Sequence, residues 1–321
     1  MSSEIIEAVF RFSHYHRKQL MLIASKNQID HSGGYVNNWN TAQYAAFIAE
    51  IKKIYPMSDV KICRDHCGPG FNGIDEIADC YKTIEDDIKN GFDLMHIDFC
   101  HFKGDKGQQL EETKKAIEYC LKLRPDIYLE IGTDENYGAN YNLPILEEIA
   151  RELDYFKNFC VPEFYVVQTG TVVKEIGQAG HINKEAVEQI SAILKSKDVK
   201  LKEHNADYLS KDEIVSRRGI VDAVNIAPQL GVVQTKIVLS KCLIYGIDPS
   251  EFLEEVYKKG KWKKWMDKNT MENKLLCCEI AGHYHFASDS YKKIILKLAE
   301  REEIKENLIS VASDIISHYL T

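Results

Sequence analysis

The chain has 321 residues, 45% hydrophobic and 28% charged, with a formal net charge of −8. That length suits one large α/β barrel or two smaller domains, and the acidic balance argues against a nucleic-acid partner. No apolar run approaches the roughly 20 residues needed to cross a bilayer, and MSSEIIEAVFRFSHYHRKQ lacks the apolar core of a secretory leader, so a cytoplasmic location without a membrane partner is expected. Nine scattered cysteines without C-x-x-C pairs read as reduced, mostly buried thiols.

Residues 4–19 carry a helical pattern, and Leu20 to Ser25 a strand followed by the polar loop KNQIDHSGGYVNNW. Thr41 to Ile54 is an amphipathic helix with Thr41 as the expected N-cap, stopped by Pro56. The strand VKICRDH comes next, then a helix over 73–90, a strand over 93–99, a helix over 108–123 and the strand IYLEIGT. Helix 143–157, strand FYVVQTG, helix 183–196, strand VKLKEH, helix 210–217 and strand VDAVNIA continue the alternation. Apolar strands separated by helices of this length indicate parallel βαβ units, and no G-x-G-x-x-G follows a strand to support a dinucleotide fold.

The expected fold is therefore a TIM-type (β/α) barrel over residues 1–231. Helices 232–245, 249–259, 289–301 and 303–319 form a C-terminal helical extension over 232–321, with KLLCCEIAGHYHF between them. Within the extension KKGKWKKW is basic with interleaved tryptophans; in so acidic a chain it reads as a solvated helix end with packed rings.

In a parallel barrel the chemistry sits at the C-terminal ends of the strands. Seven strand ends here are polar: Asn27, the Asp65–His66 pair, Asp98, Glu130, Gln168, His204 and Asn225. His66 and His204, joined by Asp65 and Asp98, have the donor types of a site for Zn²⁺ or a similar divalent ion. His96 shares the face of Asp98 in a strand and reads as a core or outer supporting group, with His101 past the strand end. A carboxylate facing a barrel interior needs a partner, so Glu130 implies either a cation or a buried ion pair, with Asp134 and Glu135 on the loop beyond it. Gln168 and Asn225 are candidate contacts to substrate hydroxyls, as is Asn27. Lys26 and Lys174, the candidate Schiff-base amines, fall in glycine-containing loops and not within a strand.

On SKNQIDHSGGY, RDHCGP, MHIDFCHF, EIGTDE, VVQTG, EHNADY and VNIAPQL, the chain resembles the class II, metal-dependent ketose-bisphosphate aldolase superfamily. It is most similar to the GatZ/KbaZ family of tagatose-1,6-bisphosphate aldolase subunits. The resemblance implies Asp65 as acid/base, His66 and His204 as metal ligands, Glu130 or Asp98 completing the site, and Asn225 as a substrate-contacting amide. It also implies a divalent metal (Zn²⁺, with Mn²⁺ or Mg²⁺ as alternatives) and a sugar or sugar-phosphate substrate handled through an enediolate.

The departures are specific. Val173 stands where catalytic members carry a middle histidine, and His181 is the nearest imidazole. Asn205-Ala206-Asp207 lacks the glycine and serine that cradle phosphate, and Pro228 replaces a threonine. The family's first strand is missing, so closure falls to LLCCEI, to fewer strands or to a partner chain. Two functions follow: an aldolase or epimerase, or a non-catalytic subunit that stabilises a class II aldolase partner. A homo-oligomer fits either.

Overall fold

Ser2 opens the first helix, its hydroxyl accepting the Ile5 N–H. The structure, a computed structural model, describes residues 1–133, 143–267 and 273–320. Asp134 and Glu135 lie outside the described residues. Helix α1 (Ser3–His16) ends where Arg17 turns left-handed, short of the expected residue 19, because Gln19 already belongs to strand β1 (Gln19–Ser25). Helix α2 (Thr41–Ile54) is capped by Asn40 rather than Thr41: the Asn40 side chain and Gln43 form a reciprocal capping box. Strand β2 (Asp59–Cys67) carries the RDH triplet. Helix α3 (Ile77–Lys89) starts four residues later than the sequence suggests, because Gly73 closes a turn onto Gly70.

Then come β3 (Leu94–Ile97), α4 (Lys106–Leu123), β4 (Tyr128–Thr133), α5 (Leu143–Phe156) and β5 (Phe164–Val167). A short antiparallel hairpin of β6 (Val173–Lys174) and β7 (Gly177–Gln178) precedes α6 (Lys184–Lys195). Strand β8 (Lys200–Glu203), helix α7 (Lys211–Arg217) and a two-residue β9 (Ala223–Val224) complete the alternation. The C-terminal part is helical: α8 (Pro228–Tyr245), α9 (Ser250–Lys259), α10 (Lys274–Ala281), α11 (Asp289–Ala299) and α12 (Ile304–Leu320).

The seven long-range strands form one curled parallel sheet in the order β1-β2-β3-β4-β5-β8-β9. Its outer face packs on the helices through a large apolar core that includes Phe10, Ile62, Ile97, Leu129, Val167 and Leu201. Inside the curl a small apolar group (Cys63, Leu94 and Phe164, with Met21, Ile23 and Ala223 against it) underlies the polar strand ends. A separate core of α8 to α11 contains Phe252, Val256, Trp262 and Tyr291, so Trp262 of the basic stretch is packed, Trp265 is half-buried and the lysines are exposed.

The segment LLCCEI does not close the sheet. Asn273 caps it as helix α10, and Cys277, Cys278, Ile280 and Ala281 bury at helical spacing. Among the described residues no strand joins β9 to β1, so the wall is a barrel with an open seam. All nine cysteines are free thiols, mostly buried. No described helix is long and apolar enough to cross a membrane.

Pro228 has a local role. It occupies the first turn of α8, where its missing N–H is no loss. The Ala227 and Gln229 N–H groups there donate to Asp207 Oδ1 at 2.9 and 2.8 Å. Burial outweighs these bonds and pushes the Asp207 carboxyl up to about 7. Since this exceeds its unfolded value of about 3.9, the folded state holds the proton more tightly. The stabilisation is complete below about pH 4 and is lost as pH rises through about 7, by at most about 1.4 kcal/mol per pH unit. Urea titrations from pH 4 to 7 are expected to show this slope in wild type and not in Asp207→Asn, which keeps the acceptor oxygen.

Candidate active site

Alternation along β2 sends Arg64 outward and Asp65 inward. Arg64 is buried against Asp87 of α3, while Asp65 faces the sheet's interior. The chain then turns left-handed at His66 (φ 45°), an uncommon conformation for a non-glycine residue and one that clusters at functional sites. Gly68 permits the turn, since a Cβ there would lie 1.6 Å from the Asp98 carbonyl oxygen.

Three imidazoles meet above the interior. His66 and His204 have ring centroids 5.2 Å apart, and His96 lies 4.7 Å from the first and 5.6 Å from the second. Two of the rings are fixed from behind. Asp98 Oδ2 lies 2.8 Å from His66 Nδ1 and leaves Nε2 toward Asp65. His96 Nε2 lies 3.0 Å from the Gly132 carbonyl, and its Nδ1, which accepts the His66 N–H at 3.2 Å, is turned to the cluster. Gly132 sits at φ 90°, and a Cβ on it would strike the Val166 carbonyl at 2.2 Å. Carboxylate and carbonyl partners of this kind orient metal-binding histidines.

Asp65 Oδ1 stands at the centre, 3.6 Å from His96 Nδ1, 3.8 Å from His66 Nε2 and 4.0 Å from His204 Nε2. Glu130 Oε1 lies 3.4 Å from His204 Nε2 and 3.5 Å from His96 Nδ1, while its Oε2 takes the Lys202 ammonium at 2.5 Å. Ligating atoms of Asp65, His96, Glu130 and His204 all fall within 4.8 Å of one another, and His66, His96 and Asp98 form an overlapping group.

Burial works to raise these carboxyls, but the surrounding cations win. His66, His96 and His204 hold Asp65 well below the usual carboxylate range; Lys202 with His96 and His204 brings Glu130 to about 2; His66 and His96 bring Asp98 to about 2. Burial would lower His96, yet Glu130 and Asp65 raise it. Three carboxylates against one ammonium leave two negative charges in a largely buried cluster. Two imidazolium ions or one divalent cation would balance them.

The remaining expected residues are placed as follows. Asn225 is buried and lines the same interior cavity as Asp65. Gln168 Oε1 accepts the Gly170 N–H, and the Asn27 amide donates to the Phe71 carbonyl. Val173 is buried in the hairpin and His181 is exposed, so neither adds an imidazole. Lys26 is buried in an ion pair with Asp79, and Lys174 Nζ meets the Lys264 carbonyl. Sequence reasoning gave His96 only a core or supporting role and missed Lys202. His96 belongs to the cluster itself, and Lys202 is a buried amine within a strand. The signal for Lys202 was present: residues 200, 202 and 204 share one face of β8.

No protein-family model matches the chain. Solved structures do. A probable tagatose 6 phosphate kinase from Sinorhizobium meliloti 1021 superposes with a TM-score of 0.76 at 17% identity, over 96% of this chain and 88% of that one. Fructose-bisphosphate aldolase from Campylobacter jejuni gives 0.62 at 13% identity, covering 99% and 87%. The fructuronate-tagaturonate epimerase UxaE from Cohnella laeviribosi gives 0.63 at 12% identity, covering 99% and 79%. The architecture of this chain is thus the α/β fold on which solved carbohydrate aldolases and a ketose epimerase are built.

Proposed function

We propose that the chain is a divalent-metal-dependent carbohydrate aldolase or epimerase acting on a ketose or ketose phosphate, with chemistry of the tagatose-bisphosphate aldolase type. The observation that carries this reading is the convergence of His66 Nε2, His96 Nδ1, His204 Nε2 and Glu130 Oε1 around Asp65 Oδ1. The donor set fits a cation. Asp65 Oδ1 is buried with no hydrogen-bond partner, and Glu130 Oε1 lies 3.4 Å from His204 Nε2 and 3.5 Å from His96 Nδ1, near the roughly 3.4 Å between ligands bound at about 2.1 Å in a tetrahedral site. Mixed imidazole and carboxylate donors suit Zn²⁺ or Mn²⁺ better than Mg²⁺.

The three histidines and Glu130 would hold the cation, which would supply Lewis-acid polarisation of a substrate carbonyl. The chain's own residues do the rest. Asp65 is more exposed than Glu130 and stays ionised, so it takes the proton next to the carbonyl or from the aldol hydroxyl and later returns it. Lys202 holds Glu130 in one rotamer and keeps it from competing as a base. Asn225 lies along the cavity where a substrate hydroxyl would extend. The Ala206 N–H is already bonded to the Asn225 carbonyl, so the loop after β8 does not offer that amide to a phosphate. This supports a substrate without phosphate at that end.

The accessory reading, in which the chain stabilises a partner aldolase, is favoured by one observation, the open margin between β9 and β1. Metal analysis separates the two. After loading with Zn²⁺ or Mn²⁺ and gel filtration, wild type is expected to retain stoichiometric metal and His204→Ala to lose it while melting cooperatively. Wild type is then screened against ketose phosphates, uronates and aldol products. A wild-type chain that holds no metal and turns over none of them would refute the enzyme reading.

A further inference from the structure

Beyond His66 the chain folds back over its own strand end. Gly70 and Gly73 sit at φ 80° and 84°, and the Gly73 N–H donates to the Gly70 carbonyl at 3.0 Å. This turn lays the Phe71 ring flat on the His66 imidazole, with centroids 4.7 Å apart and planes 19° from parallel. Asp98 alone does not fix that imidazole. Its hydrogen bond at Nδ1 sets one direction in the plane of the ring and leaves the ring able to roll about it. A flat neighbour against one face removes the roll. The left-handed backbone of His66 sharpens the need, because such a conformation persists only where the surroundings hold it.

Phe71 is itself held from several sides. The His101 ring stands across it, with centroids 4.6 Å apart and planes at 60°. The Asn27 side-chain amide donates to the Phe71 carbonyl. The next residue, Asn72, donates to Asp30 Oδ2 at 3.0 Å and to Asp79 Oδ2 at 2.9 Å. Those carboxylates are pinned in turn, Asp30 by the Thr83 hydroxyl at 2.7 Å and Asp79 by the Lys26 ammonium at 2.6 Å. Connections between a strand and a helix are ordinarily mobile. This one is braced, and the bracing ends on the residue that carries the ring and on the one after it.

We propose that Phe71 is a positioning residue for the cluster: it sets the tilt of the His66 imidazole that Asp98 leaves open, and Asn27 acts through it by holding its backbone. The inference rests on the reading of the cluster as a metal site. It gives Asn27 a role that requires no contact with a sugar.

The test is titration of the intact chain with Co²⁺, whose visible bands change with the ligands around it, in wild type, Phe71→Leu and Phe71→Tyr. Leucine keeps the apolar cover and loses the flat face; tyrosine keeps both. Phe71→Leu is expected to bind Co²⁺ about 10–100-fold more weakly, the usual effect of removing a group that orients a ligand, and with altered bands. Phe71→Tyr is expected to match wild type. Asn27→Ala is expected to weaken binding in the wild-type background and to add nothing in Phe71→Leu. The ring nitrogen signals of His66 in the metal-free chain give a second reading: sharp in wild type and Phe71→Tyr, broadened in Phe71→Leu. Because that reading needs no metal, the two claims fail separately. A wild type that takes up no Co²⁺ while His66 is broadened only in Phe71→Leu refutes the metal reading and upholds the role of Phe71. Equal Co²⁺ binding and equally sharp His66 signals in all three chains overturn the proposal. So does a Phe71→Tyr as impaired as Phe71→Leu, or a full additional loss from Asn27→Ala in the Phe71→Leu background.

Discussion

Asp65→Asn is expected to keep its metal and its fold while turnover falls by about 10²–10⁴-fold, the range for loss of a positioned proton acceptor. The substitution preserves shape and leaves His66, His96, His204 and Glu130 untouched, so metal content measured on the purified variant should match wild type. Its effect should fall on kcat more than on KM, because an amide can still accept a hydrogen bond but cannot take a proton. The alternative outcomes are informative. Parallel loss of metal would make Asp65 primarily a ligand, in keeping with its central distances of 3.6–4.0 Å. Undiminished turnover with metal retained would move the proton transfer to another group.

The second large effect lies on the other face of the same strand. Arg64 is fully buried, with Nε 2.6 Å from Asp87 Oδ2 and Nη2 2.8 Å from Asp87 Oδ1. Its Nη1 donates to the carbonyls of Ala24 at 2.9 Å and Ile29 at 2.6 Å, tying β1 and the loop after it to α3. Arg64→Leu leaves Asp87 as an uncompensated buried carboxylate and two carbonyls without donors, a loss of about 3–5 kcal/mol. Urea denaturation should record it as a lowered midpoint. The double variant Arg64→Leu, Asp87→Leu should recover much of the loss, since the penalty belongs to the orphaned charge. If the single variant were as stable as wild type, the triplet RDH would owe none of its structural role to its arginine.

The alternation of apolar strands and amphipathic helices is a local property, and it made the parallel sheet and its outer helices legible in the sequence. The same period, had it been applied to VKICRDH and VKLKEH, would have separated Arg64 from Asp65 and placed Lys202 beside His204. His96 was harder. Its membership in the cluster depends on the Gly132 carbonyl, the His66 N–H and the Glu130 carboxylate, which come from two other strands. Asp98 was visible as a polar strand end, but whether it faces the interior or backs His66 is decided by a turn at His66 that no periodicity encodes. Closure was the least legible feature. It depends on the first and last strands of the sheet, and LLCCEI was equally apolar as strand or helix until Asn273 and the burial spacing decided it.

The open wall gives the cluster a mechanical consequence. Its donors come from β2, β3, β4 and β8, spanning residues 65 to 204. A sheet with free margins can flatten or curl, and chelation across its width would fix one curvature, as a hoop holds staves. Ion loss would then relax the shape of the whole wall along with the geometry of the pocket.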